Sequence, residues 1–183
     1  MTRFSPISSI PLLIAFSLLS AEAPAPEGSK NVKASLLCEY ETVRPGMTTR
    51  IAVRLRMKKG WHTYWVNPGD SGLPTRVVFR APEGWKLGQV HLPAPQRMDD
   101  EGITSFFYEN EVWILGVLTA PAEAAPGKTV RIGAKVDWLE CERECIPGGT
   151  ELKASLGVGK KEKLNEGNAR GFEAAQRQLP IAS

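Results

Sequence analysis

From residue 32 onward, apolar and polar side chains alternate with a period of two, which restricts the chain to half-buried β-strands. Val32, Ala34, Leu36, Cys38 and Tyr40 alternate with Lys33, Ser35, Leu37, Glu39 and Glu41. Ile51, Val53, Leu55 and Met57 alternate with Arg50, Ala52, Arg54, Arg56 and Lys58. Val130, Ile132, Ala134, Val136 and Trp138 stand against Arg131, Gly133, Lys135 and Asp137. Residues 75–80, 85–92, 105–108, 111–119 and 150–158 add further strands. Turn-forming groups separate them: Arg44-Pro45-Gly46, Asn67-Pro68-Gly69-Asp70, Pro82-Glu83-Gly84, Pro126-Gly127 and Pro147-Gly148-Gly149. About eight short strands without interleaved helices predict an all-β fold of two packed antiparallel sheets. Only the tail has helical spacing, at Ala169, Phe172, Ala175 and Leu179, with Pro180 as the stop.

The N-terminus has a different composition. Arg3, an apolar run at 10–19, and small residues at Ser20, Ala21 and Ala23 mark residues 1–23 as a secretory signal. An apolar run of about ten residues falls well short of the ~20 that a membrane-spanning helix needs. Residues 24–30 read as a Pro/Ala-rich linker, 31–160 as the sandwich domain and 161–183 as a partly helical tail. The expected location is the periplasm, where disulfides persist. The net charge is +3, with basic residues spread singly along the strands (Arg50, Arg54, Arg56, Lys58). That spacing predicts a solvated sheet face and no nucleic-acid partner.

Chemistry concentrates on Cys141 and Cys145, which flank Glu142, Arg143 and Glu144. In one straight strand their Cα atoms would lie about 13 Å apart, whereas a disulfide needs roughly 4.4–6.8 Å. The intervening residues must therefore turn, either as a hairpin or as a short helical turn. The charged turn predicts exposure, which thiol exchange requires. So short a ring removes little chain entropy, so a bridge here would be a weak staple. Cys38 falls on the inward face of its strand and reads as an inert core thiol.

Two segments carry a family resemblance. Trp138-Leu139-Glu140-Cys141 followed by Cys145-Ile146-Pro147 resembles the W-L-x-C-x-x-x-C-I-P segment of the N-terminal periplasmic domain of DsbD-like thiol:disulfide reductases. Residues 60–75, reading Gly60-Trp61-His62-Thr63-Tyr64-Trp65 and on through Asn67-Pro68-Gly69-Asp70-Ser71-Gly72, are similar to a block of the ScsB-type branch (suppressor of copper sensitivity). The resemblance covers residues 31–160 and implies an immunoglobulin-like sandwich whose dithiol carries electrons outward. Cys141 and Cys145 match the redox pair. His62 and Tyr64 match strand positions beside it. Asp99, Asp100 and Glu101 fall near the loop that caps the disulfide in relatives, and Asp70 lies in a bordering loop.

The implied donor is a thioredoxin-like domain or membrane thiol transporter, expected on another polypeptide. The implied acceptors are periplasmic proteins that contain disulfides. Two features depart from the best-known members: three residues separate the cysteines instead of five, and the cap loop at 98–103 has no aromatic, Phe106 and Phe107 being nearest. Neither the residues nor the resemblance calls for a cofactor. The competing chemistry is a Cu(I) site, with Cys141 and Cys145 joined by Met57, Met98 or His62 as soft ligands. A third reading makes the pair a plain structural bridge in a binding domain. No four-ligand zinc spacing, Ser-His-Asp set or phosphate-cradling loop is present in the sequence.

Overall fold

The computed structural model describes residues 29–180, so the expected signal segment, most of the expected linker and the last three residues lie outside the described residues. Twelve strands precede one helix: β1 (Val32–Cys38), β2 (Tyr40–Val43), β3 (Thr48–Met57), β4 (His62–Gly69), β5 (Arg76–Arg80), β6 (Lys86–His91), β7 (Gln96–Asp100), β8 (Ile103–Glu109), β9 (Glu111–Thr119), β10 (Thr129–Cys141), β11 (Cys145–Val158), β12 (Lys163–Leu164) and α1 (Glu166–Arg177). They form a small sheet in the order β1-β3-β9-β6 and a large one in the order β12-β2-β11-β10-β4-β8-β7, with β5 also on β10. The fold is the expected immunoglobulin-like sandwich with a short C-terminal helix. Its pairing is antiparallel except for a two-residue parallel join of β2 to β11.

Alternation places the core. Ile51, Val53 and Leu55 of β3 face Ile132, Ala134, Val136 and Trp138 of β10 between the sheets, joined by Ile114 and Leu156. The far side of the small sheet is not the bare solvated face that the spacing predicts. Helix α1 lies on it, and fully buried Phe172 packs with Ala52, Trp113 and Leu115. The Phe172 and Trp113 rings meet edge to face at 5.4 Å. The arginines of β3 lie over these rings, Arg50 on Phe172 at 5.7 Å and Arg54 on Trp113 at 5.6 Å. The alternating cations thus cover aromatic surface with their stems and planes.

The alternation alone missed β4, β7 and the two-residue β12, because none of them alternates cleanly. β4 runs through a stretch rich in turn-forming residues, and β7 is exposed along its whole length. The predicted cap loop is in fact the tip of the β7–β8 hairpin. Its two-residue turn uses positive φ at Glu101 (46°) and Gly102 (84°), as such hairpins require.

Candidate redox site

The β10–β11 ladder is the longest in the molecule and ends with Leu139 opposite Pro147, Glu140 opposite Ile146 and Cys141 opposite Cys145. Of the two turn geometries open to the sequence, the chain adopts the hairpin. The facing cysteines are bonded, with Cα atoms 4.2 Å apart. Glu142, Arg143, Glu144 and Cys145 are exposed, as the charged turn predicts. Cys141 differs, at 3% exposure, because Tyr64, Phe107 and Leu139 pack on it. The two sulfur-bearing residues therefore see different surroundings.

The pleat explains who surrounds the pair. Trp138 points into the core, so Leu139 and Cys141 point to the opposite face of the large sheet. On that face β4 sets His62 opposite Cys141, and β8 sets Glu109 opposite His62 and Phe107 opposite Tyr64. The His62 ring meets Tyr64 edge-on at 5.2 Å and Phe107 at 5.4 Å. Its Nε2 lies 3.4 Å from the Tyr64 hydroxyl. Gly72, at φ 96°, closes over Tyr64: a Cβ there would stand 2.4 Å from the ring, so only glycine fits.

Burial pushes the Tyr64 phenol above its usual range, partly offset by a hydrogen bond with Ser71. Burial pulls the His62 pKa below its ordinary value, and the charge of Glu109 opposes that shift. A histidine that folds more readily when neutral leaves the unfolded chain holding more protons at acid pH. Stability is then intact above the unfolded pKa near 6.5 and falls as pH drops from there toward the lower folded value. Thermal unfolding scanned from pH 8 to pH 5 is expected to show that decline, and His62→Gln to flatten it. An equally steep decline in the variant would assign the effect to other groups.

The remaining predicted site residues assemble elsewhere. Asp70 Oδ2 accepts the Thr104 backbone amide at 2.9 Å, and the Asp70 amide donates to the Thr104 carbonyl at 2.8 Å. Asp99 accepts hydrogen bonds from Arg97 and, at 2.6 Å, from the Thr104 hydroxyl, which hold its pKa below the usual carboxylate range. Asp100 and Glu101 are exposed at the same hairpin tip. Thr104 lies five residues before Glu109 along β8, or ~17 Å at the usual rise. The structure thus gathers Cys141, Cys145, His62 and Tyr64 and leaves Asp70, Asp99, Asp100 and Glu101 in a separate cluster. Phe107, from the body of β8, supplies the aromatic cover instead of the acidic loop.

Of the other candidate copper ligands, Met57 is packed in the main core and Met98 lies on exposed β7. Among the described residues no group of three or more His, Cys, Asp or Glu is placed to hold a metal ion. Cys38 is buried on β1 opposite Ile51, and burial pushes its thiol up to about 11. No helix among the described residues is long and apolar enough to cross a membrane.

One residue beside the pair was missed. Glu140 is 1% exposed on the core side of β10. It accepts hydrogen bonds from Asn31 Nδ2 at 2.9 Å, Trp138 Nε1 at 3.3 Å and the Ser29 hydroxyl. That hydroxyl in turn accepts the backbone amides of Asn31 and Val32 at 3.1 and 2.8 Å. The signal was its parity: Glu140 continues the inward series Val136, Trp138. Next to the pair, a groove of about 440 Å³ lined by Leu73, Pro74, Arg76, Asp137 and Pro147 opens along the hairpin.

A sandwich with a bridged cysteine pair at an open hairpin end, one member exposed and the other under aromatic rings, has the exposed sulfur-bearing residue that thiol–disulfide exchange requires. The family model described as "Thiol:disulfide interchange protein DsbD, N-terminal" matches residues 33–156, and the chain belongs to that family. Among solved structures, the N-terminal periplasmic domain of ScsB from Proteus mirabilis superposes with a TM-score of 0.57 at 17% identity. That match covers 85% of this chain and 57% of that one, so the chain spans little more than half of the relative's length. The reduced N-terminal domain of Neisseria meningitidis DsbD matches at TM-score 0.36 and 16% identity, covering 72% of this chain and 88% of that one. A complex of the DsbD and PilB N-terminal domains from the same species matches at TM-score 0.38 and 17% identity, covering 64% and 80%. Comparison with curated proteins finds no match.

Proposed function

We propose that this domain relays reducing equivalents through Cys141 and Cys145 to disulfide-bonded proteins in the periplasm, and that a thioredoxin-like domain or membrane thiol transporter supplies them. The unequal exposure of the two cysteines carries the reading. A donor thiolate attacks the accessible Cys145 Sγ. The Cys141–Cys145 bond breaks as the donor–Cys145 bond forms, and Cys141 leaves as a thiolate that takes up a proton. The donor's second thiol then resolves the mixed disulfide, leaving the donor oxidised and the pair reduced. Discharge reverses the sequence: Cys145 attacks the acceptor's disulfide, an acceptor thiol leaves, and Cys141 closes back onto Cys145 Sγ. Two electrons and two protons pass to the acceptor.

His62, opposite Cys141 and biased toward its neutral form, is the proton carrier in this scheme. Tyr64 and Phe107 shield the Cys141 sulfur. Support for a dithiol partner comes from membership of the thiol:disulfide interchange family. The test is the potential of the pair against a glutathione or dithiothreitol buffer. Exchange with a thioredoxin-like dithiol and a potential above the roughly −300 mV limit of inert bridges are expected. A lower potential with no exchange would reduce the pair to a structural staple.

A further inference from the structure

Four cationic side chains converge at the end of the sandwich that holds the redox hairpin. Lys30, Lys33, Arg56 and Lys58 line a groove of about 360 Å³ together with Ser29 and Asn31, and all four are exposed. Lys33 on β1 sits directly opposite Arg56 on β3. Like charges in that position repel, so the sheet gains nothing by it. Lys33 on an edge strand guards against stray strand pairing, but this accounts for one cation and not for their convergence. Lys58 meets only the Asn31 side chain, and none of the four forms an ion pair among the described residues. Three carboxylates lie nearby: Glu111, opposite Arg56, is engaged by Trp113 Nε1 at 2.7 Å, Glu140 is buried beneath Ser29 and Asn31, and Glu142 lies against Gly60 on the hairpin side.

Two contacts tie the groove to the strand end that carries the redox hairpin. The groove's Ser29 and Asn31 donate to Glu140, the residue before Cys141. Lys58 begins the turn into β4, and Gly60 in that turn lies against Glu142 of the hairpin, where a Cβ would stand 2.7 Å from its carboxylate. A protein that docks on Cys145 therefore approaches the end of the sandwich that carries these cations.

We infer that the groove formed by Lys30, Lys33, Arg56 and Lys58 receives an acidic segment of the exchange partner, steering Asp/Glu-rich proteins onto the hairpin. The inference rests on the exchange function proposed above. The site carries positive charge without an aromatic platform, which single-stranded nucleic acid needs. Its apolar lining residues, Val32 and Met57, are buried and offer nothing to a lipid surface. A groove of this size holds a few residues of extended chain.

The test uses the full chain, reduced, with two synthetic peptides. Each carries one intramolecular disulfide, flanked by four Glu in one peptide and four Gln in the other. The acidic peptide is expected to be reduced about tenfold faster at low ionic strength, with the advantage lost in 0.5 M salt. Lys33→Glu combined with Arg56→Glu is expected to erase the advantage and leave the Gln peptide's rate unchanged, since neither residue touches the cysteines. Equal rates for the two peptides in the unaltered chain would overturn the inference. So would an advantage that survives the double variant, or tighter binding of anionic phosphatidylglycerol vesicles than of the acidic peptide. If neither peptide is reduced, the exchange reading fails. The groove is then judged on the oxidised chain, by whether a cysteine-free Glu peptide shifts the amide resonances of Lys33, Arg56 and Lys58.

Discussion

Cys141→Ser is expected to accumulate mixed disulfides through Cys145, while Cys145→Ser is expected to accumulate none, although both variants lose turnover. The asymmetry follows from the hairpin. With Cys141 replaced, Cys145 remains exposed beside Ile146 and Pro147 and can attack a partner's disulfide, but no resolving thiol faces it. With Cys145 replaced, the surviving thiol lies at 3% exposure beneath Tyr64, Phe107 and Leu139. A partner's sulfur must approach along the S–S axis, and those side chains occupy the approach. Alkylation by a small reagent under native conditions is expected to be at least about tenfold faster for Cys141→Ser than for Cys145→Ser. Neither result is confounded by unfolding. Opening a ring with three residues between the cysteines costs on the order of 2 kcal/mol, less than the 5–15 kcal/mol typical of a domain. Trapping by Cys145→Ser but not by Cys141→Ser would reverse the assigned order of attack.

The fold was legible wherever one face of a strand met the core and the other met solvent. β3 and β10 announce themselves for that reason, since every second residue of each is buried. β7 has no buried residue, and its pattern therefore carried no information. At the candidate site, spacing pointed to the cysteines and the resemblance to His62 and Tyr64, but neither gave what lies between them. Their meeting depends on β4 joining β10 at only two residue pairs, Glu140 with Thr63 and Cys141 with His62. No local rule predicts a junction so short. Asp70 and the acidic tip looked site-forming because they are polar and lie in or beside matched segments. The register places them at the far end of β8 instead, with Asp70 and Asp99 both bound to Thr104. Glu140 was the reverse case: adjacent to Cys141 in sequence and inward by parity, yet polar where the rest of the inward series is apolar.

Glu140→Ala is expected to cost about 3 kcal/mol, more than loss of the disulfide it adjoins. Removing the carboxylate strips acceptors from three donors at once: Asn31 Nδ2, Trp138 Nε1 and the Ser29 hydroxyl. The Trp138 indole is buried, and a buried donor left without a partner costs roughly 1–3 kcal/mol. The Asn31 and Ser29 groups are half-buried and recover part of their loss from water, which keeps the sum of the three losses to about 3 kcal/mol. For a domain of this size the melting temperature should fall by roughly 10 °C. The loss should also be local. Hydrogen exchange is expected to quicken first in residues 29–32, which Ser29 and Asn31 tie to β10, and in the hairpin around Cys141. Glu140→Gln keeps one acceptor oxygen but turns an amide toward donors, so it should recover part of the stability and not all of it. A loss under about 1 kcal/mol in Glu140→Ala would mean that water replaces the carboxylate, and that the end of β10 holds Cys141 in place through the ladder alone.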